Sequence, residues 1–200
     1  MTPGVLLLAD GRFPAGGHAN SAGTESAIRY GIVTDVASLA RFVGERLATT
    51  GRVEAAFAAE ACRGAAGLDE ELDARLAAPR ARAISRQLGR QLLRAAHAVW
   101  PACPTGDHHQ AVALGLACRA AGGCPDDAAA LARHHLAGAI CTAAVRMLGL
   151  DPAAVSAVQA EAVAAACLAP APGELPALTT TLTEILAEDH GRWDARLFVA

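Results

Sequence analysis

The chain has no lysine; all seventeen of its basic residues are arginine. A Walker-type phosphate loop sets a lysine and a Ser or Thr directly after its second glycine, so that device for holding a nucleotide is excluded. Aromatic residues make up 4% of the sequence, β-branched residues are sparse, and no useful length alternates apolar and polar residues. Those are the marks of strands, and their absence argues against a sheet. No uncharged apolar stretch approaches the ~18 residues of a membrane span. The opening "MTPGVLLLADGR" has no basic segment ahead of its apolar run, and that run is too short for a secretory signal. No CxxC occurs: Cys62, Cys103, Cys118, Cys124, Cys141 and Cys167 are scattered, as small buried hydrophobes in a reducing compartment would be. A basic excess is missing too, since the formal net charge is -3, which makes a poor surface for nucleic acid. Together these absences predict a cytoplasmic protein that engages neither membrane nor nucleic acid.

What fills the chain instead forms helices. Hydrophobic residues make up 53% of its 200 residues, enough for one compact domain with its own core. Ala, Leu, Arg and Glu occupy most of the ground between glycines and prolines. Thr34 and Asp35 stand as caps before Val36, Leu39, Ala40, Val43 and Leu47, which recur at helical spacing and are followed by Gly51. Val53, Ala56 and Phe57 open a second helix, and Leu68, Leu72 and Leu76 form a short third. Pro79 separates that from a long helix through Ile84, Leu88, Leu92, Ala95 and Val99, ended by Trp100 and Pro101. Asp107 is placed to cap the next, Asp126 and Asp127 lie in the first turn of another, and Asp151 before Pro152 caps a further one. The prediction is an all-α fold, a single compact multi-helix domain over residues 1–168 with a C-terminal tail. "APAPGELPAL", residues 169–178, reads as a Pro-rich connection, and residues 179–200 as a C-terminal helix and docking tail.

Three constellations carry polar chemistry. In "FPAGGHANSAGTE", glycines, a serine and a threonine precede a helix, as in a phosphate loop, yet Gly16, Gly17 and Gly23 do not keep the GxGxxG spacing. The plainer reading is that Pro14, Gly16 and Gly17 make a tight turn, Asn20 or Ser21 caps the next helix, and Glu25 sits in its first turn, where the helix dipole favours an acid. In the long helix, Arg82, Arg86, Arg90 and Arg94 recur at every fourth position within a stretch, residues 74–106, that holds no acid. Like charges at that spacing repel. Either acids such as Asp69, Glu70 and Asp73 of the neighbouring short helix offset them, or the stripe anchors an acidic partner surface. In the tail "HGRWDARLFVA", Trp193, Leu197 and Phe198 bring large apolar surfaces to a terminus; docking on the parent domain and docking on a partner both account for them.

Seven histidines raise the question of a metal. His108 and His109 are adjacent, as are His134 and His135, so on a helix the rings of each pair diverge by about 100°. His134 and Cys141 could share a face, but two ligands do not make a site. No nucleophile elbow or comparable signature accompanies the serines and histidines. The expectation is therefore a protein that is not an enzyme, with no catalytic, metal or cofactor-binding residue.

Three separated segments together resemble the urease accessory protein UreF family. Its opening signature, proline and glycine followed by Ser-x-Gly-x-Glu, is matched by Pro14, Gly16, Ser21, Gly23 and Glu25, with Gly31 and Val33 after them. An arginine seven residues before a glycine in a long helix is matched by Arg82 and Gly89, and His-x5-Arg-Leu-Phe by His190, Arg196, Leu197 and Phe198. The chain differs at His18, where the family commonly has an aromatic, at Thr24, where it commonly has leucine, at Gly191, where it commonly has glutamate, and in lacking the acids that usually accompany the middle arginine. The resemblance implies an all-helical, homodimeric, non-enzymatic chaperone without a cofactor. Such a protein joins the accessory protein called UreD or UreH, recruits and regulates the GTPase UreG, and helps the assembly deliver nickel to apo-urease. It also implies that the matched residues lie near partner-contacting surface. The large apolar side chains of Trp193, Leu197 and Phe198 beyond a Pro-rich connection further predict that residues 190–200 are poorly ordered until the UreD/UreH-type partner binds. The alternative is a helical metallochaperone that itself holds nickel through His and Cys.

Overall fold

Helical spacing in the sequence becomes helix almost throughout the computed structural model, which describes residues 1–168, 175–178, 181–194 and 196–198. Among these, ten α-helices follow one another: α1 (Pro3–Ala9), α2 (Thr24–Arg29), α3 (Val36–Ala48), α4 (Thr50–Arg63), α5 (Leu68–Asp73), α6 (Pro79–Val99), α7 (Gln110–Ala120), α8 (Pro125–Leu148), α9 (Pro152–Leu168) and α10 (Thr181–His190). Gly17–Ala19 forms a 3-10 turn, and no strand occurs among the described residues. Of the connection predicted at 169–178, residues 169–174 lie outside the described residues, as do 179, 180, 195, 199 and 200 of the tail. No described helix is long and apolar enough to cross a membrane.

The longest helix, α8, is the spine. Asp127 accepts the Cys124 N–H at 3.2 Å at its start, Pro125 occupies its first turn, and Gly149 ends it in the left-handed conformation at φ 63. Its first half, Ala128, Leu131 and Ala132, shares a core with α1, α4, α6 and α7 through Leu8, Ala58, Leu93 and Leu114. Its second half, Leu136, Ala137, Ile140 and Ala144, shares another with α3 and α9 through Leu39, Phe42, Val43 and Val155. A helix apolar on most of its circumference belongs in the interior, which is why it draws the others around it. A third, smaller cluster joins Val53 and Phe57 of α4 to Leu68 and Leu72 of α5 and Val112 of α7.

Two glycines let helices approach backbone to backbone. A Cβ at Gly115 of α7 would strike the Ala58 carbonyl oxygen of α4 and lie 2.7 Å from the Ala61 Cβ. A Cβ at Gly89 of α6 would strike the His108 carbonyl oxygen, so this glycine lets the loop before α7 lie on α6.

Several expectations are corrected. Gly51 does not follow the end of a helix; α3 stops at Ala48, Thr49 breaks the path, and Gly51 lies in the first turn of α4, where a Cβ would sit 3.0 Å from Leu47 and 3.2 Å from Leu136. Asp107 does not cap α7, whose N-cap is His109 without a side-chain bond. The short helix α1 has no counterpart in the spacing; Thr2 starts it, accepting the Val5 N–H at 3.3 Å and donating to the Ala121 carbonyl at 3.0 Å. The predicted cap at Asp35 is present and reciprocal, since Asp35 Oδ1 accepts the Ser38 N–H at 2.8 Å and Ser38 Oγ accepts the Asp35 N–H at 3.0 Å. Cys62, Cys103, Cys118 and Cys141 are buried as read, whereas Cys124 and Cys167 are exposed. Burial pushes the Cys118 thiol up to about 12 and the Cys141 thiol to about 11.

Candidate functional site

Two motif segments, 165 residues apart at Glu25 and His190, meet in one place. The turns of the first deliver the acid. Gly23 is left-handed (φ 85) and is itself the N-cap of α2, without a side-chain bond; a Cβ there would meet Thr183 of α10 at 3.4 Å. Of the two expected caps, Asn20 Oδ1 accepts the Ala22 N–H at 2.9 Å, and Ser21 Oγ accepts the N–H of Glu25, in the first turn of α2, at 3.4 Å. Gly16, left-handed at φ 77, presses on Gln91 of α6 with no room for a Cβ, and Pro14 stands exposed before it. Glu25 sits in the first turn of α2, as expected, and is buried there, 5% exposed.

Its carboxylate works as a clasp. Oε2 accepts from His190 Nε2 at 2.8 Å and from the Phe198 N–H at 3.1 Å, and Oε1 accepts the Leu197 N–H at 2.8 Å. Burial alone would favour the protonated acid; the bonds from Leu197, His190 and Phe198 outweigh it and hold the carboxyl below its ordinary value. Around the clasp, Tyr30 OH and Trp193 Nε1 both donate to Asp189 Oδ2, at 2.7 and 2.9 Å, and the Arg29 guanidinium lies 4.1 Å from the Trp193 ring centre. Phe198 is buried with Arg146 on its ring at 4.8 Å, Arg196 reaches the Gly191 carbonyl at 3.5 Å, and Leu197 points outward, 67% exposed. Of the two dockings the sequence leaves open, these bonds make the one on the parent domain.

The remaining motif residues lie on α6. Arg82 donates through Nη1 to the Leu76 carbonyl and to the Ala77 carbonyl at 3.1 Å, which ties down the loop ahead of its own helix. Sequence reasoning passed over Glu184 and Glu188, four apart on α10. Glu184 accepts the Ala78 N–H at 2.7 Å and Glu188 the Arg80 N–H at 2.9 Å, capping α6 from outside. The one available signal was that α6 opens on Ala78 and Pro79, with no capping side chain of its own.

Two of the four stripe arginines, Arg86 and Arg90, find acids. Arg86 Nη2 meets Asp73 at 2.6 Å, and both Arg86 and Arg90 pair with Asp107, which explains why that acid is not a cap. Asp69 instead holds the loop before α7, bonding His108 Nδ1 at 2.7 Å and the His109 N–H at 2.8 Å. His109 is fully buried against Asp73 at 3.0 Å; burial lowers its pKa by more than the acid raises it. His135 bonds the Leu8 carbonyl and His97 the Cys103 carbonyl, and among the described residues no three His, Cys, Asp or Glu side chains are placed to hold a metal ion.

A family model described as UreF matches residues 33–163, well over half of the chain. The chain belongs to the UreF family. Proteins named urease accessory protein UreF align with it almost end to end: that of Mycolicibacterium vanbaalenii is 40% identical over 98% of this chain and 97% of its own length. Those of Mycobacterium marinum and Mycobacterium tuberculosis are 37% and 36% identical over the same shares. In this UreF chain the clasp brackets the matched span, Glu25 before it and His190 after it. At two of the departures from the UreF pattern, Thr24 is fully buried with its hydroxyl unpartnered, and a Cβ at Gly191 would lie 2.6 Å from Arg80 Cδ.

Proposed function

We propose that this chain is a non-catalytic scaffold of urease maturation that acts as a homodimer in the cytoplasm. It joins a UreD/UreH-type accessory protein, recruits and regulates the GTPase UreG, and serves delivery of nickel to apo-urease through that assembly. Residues 1–168 form its helical body and residues 179–200 the docking element. Kinship with proteins named urease accessory protein supports the process. The observation that supports the scaffold role is the surface built by the clasp. Leu182 and Ile185 are exposed one turn apart on α10, on the stripe that continues to Asp189, Tyr30 and Trp193, and Leu197 is exposed where Glu25 holds its backbone. A segment already seated presents its apolar side chains in fixed positions and escapes the ordering cost of a free tail.

Co-purification with a co-expressed UreD/UreH-type partner tests this, using Ile185→Asp and Leu197→Asp. Each exposed anchor is worth roughly 1.5–3 kcal/mol when buried, so either change should reduce the recovered partner by about tenfold or more while the melting temperature stays at the parental value. Full recovery of the partner with both variants, or melting that falls in step with recovery, would overturn the assignment.

A further inference from the structure

The buried Arg46 is an unbalanced charge. It is 7% exposed, near the end of α3, and among the described residues it makes one hydrogen bond, from Nη1 to Thr50 Oγ1 at 2.7 Å, with no ion pair. Its Nε is buried without a partner. Burial depresses its pKa, and the more distant carboxylates of Glu54 and Glu184 only partly offset that. A guanidinium held out of water needs partners for its N–H groups and a countercharge, and this one has neither in full.

Arg46, Thr50 and Glu54 follow one another at four-residue steps along α3 and α4, and all three line a cavity of about 430 Å³. That volume lies within the range of small-molecule pockets. Two acids on its wall fail to neutralise Arg46. Glu184 already accepts the Ala78 N–H, and burial pushes the Glu54 carboxyl up to about 7, with Arg46 opposing, so near neutral pH it is partly protonated. Val53 and Leu136 give the wall an apolar side close to Thr50; Leu136 is in near contact with Gly51. Thr50 Oγ1 accepts from Arg46 and keeps its own proton to donate.

We propose that this cavity is a binding site for a small organic carboxylate, held by the Arg46 guanidinium and the Thr50 hydroxyl, with its apolar part against Val53 and Leu136. The planar fork of an arginine matches a carboxylate in two parallel bonds, and the orphaned Nε is one half of such a fork. The apolar wall and the space beyond a single ion select an organic acid over an inorganic one.

The test is a titration of the full chain with sodium butyrate, followed by ligand NMR, with n-butylamine hydrochloride and sodium phosphate as controls. Saturable binding of butyrate is expected, with no binding of butylamine and weaker binding of phosphate. Arg46→Gln should weaken butyrate by about tenfold or more, the usual range for a hydrogen bond to a charged group. Thr50→Val, which keeps the guanidinium, should weaken it severalfold and carries the test alone if Arg46→Gln does not fold. Glu54→Gln removes a competing acid and should tighten binding, which a merely structural Arg46 would not produce. No saturable binding, butylamine bound as well as butyrate, phosphate bound more tightly, or parental affinity in Thr50→Val would each overturn the proposal.

Discussion

Where α4 crosses α7, backbone lies on backbone, with Gly115 against Ala58 and Ala61 and alanines on both sides. Where α2, α10 and residues 196–198 meet, one carboxylate accepts three directed bonds from a ring and two amides. The first junction rests on many small apolar contacts and on the absence of a side chain. The second rests on one acid, and its neighbours depend on that acid's charge. Shape therefore governs the interior and protonation governs the clasp, so each fails under a different insult.

Gly115→Val should break the contrast most forcefully, because two methyl groups would enter space filled by the Ala58 carbonyl. Overpacking costs typically ~1–3 kcal/mol and occasionally more, and with backbone in the way the loss should fall at or above the top of that range, which urea unfolding followed by circular dichroism will measure. A loss below ~1 kcal/mol would mean that α4 and α7 part easily.

Glu25→Ala should instead act locally. It leaves His190 and two amides without their acceptor, a loss of roughly 1–3 kcal/mol, and hydrogen exchange at Leu197 and Phe198 should rise more than tenfold while the α4 and α7 amides keep their protection. The unmodified chain should show the same release with acid. Glu25 has a folded pKa below its ordinary 4.5, so its contribution is whole above that value and is lost as pH falls through the lower, folded one. Release already complete at pH 6 would contradict the clasp.

Asp35→Ala gives the smallest effect and sharpens the comparison from the interior side. It removes the acceptor for the Ser38 N–H and should cost about 1 kcal/mol, visible as a lower urea midpoint with exchange at Leu197 and Phe198 unchanged. Faster exchange at those amides would show that the two regions are coupled.

The same division explains what was legible beforehand. Most of α3 to α9 announced itself through spacing and caps, because a helix that packs on a core must repeat its apolar residues with the helical period. Helix α1 did not, since "VLLLA" is apolar without a gap and shows no period. The Arg86–Asp73 pair could be foreseen because adjacent helices bring their faces together, but Asp107 looked like a cap and became a countercharge. Glu25 and His190 entered one set through family resemblance, yet nothing local in either segment says that they touch, since a bond across 165 residues leaves no period to read. Arg46 sat unnoticed at an ordinary helical position, its isolation visible only once Thr50 and Glu54 are seen around the same cavity.

The alanine-lined crossing of α4 and α7 also has a thermal meaning. Alanine has no rotamers to freeze, so Ala55, Ala58, Ala61, Ala113 and Ala117 come to order at almost no side-chain entropy. Each also shields less hydrocarbon from water than leucine would, and the rise in heat capacity on unfolding scales with that area. A domain joined in this manner has a shallow stability curve, changing little in strength between cool and warm conditions.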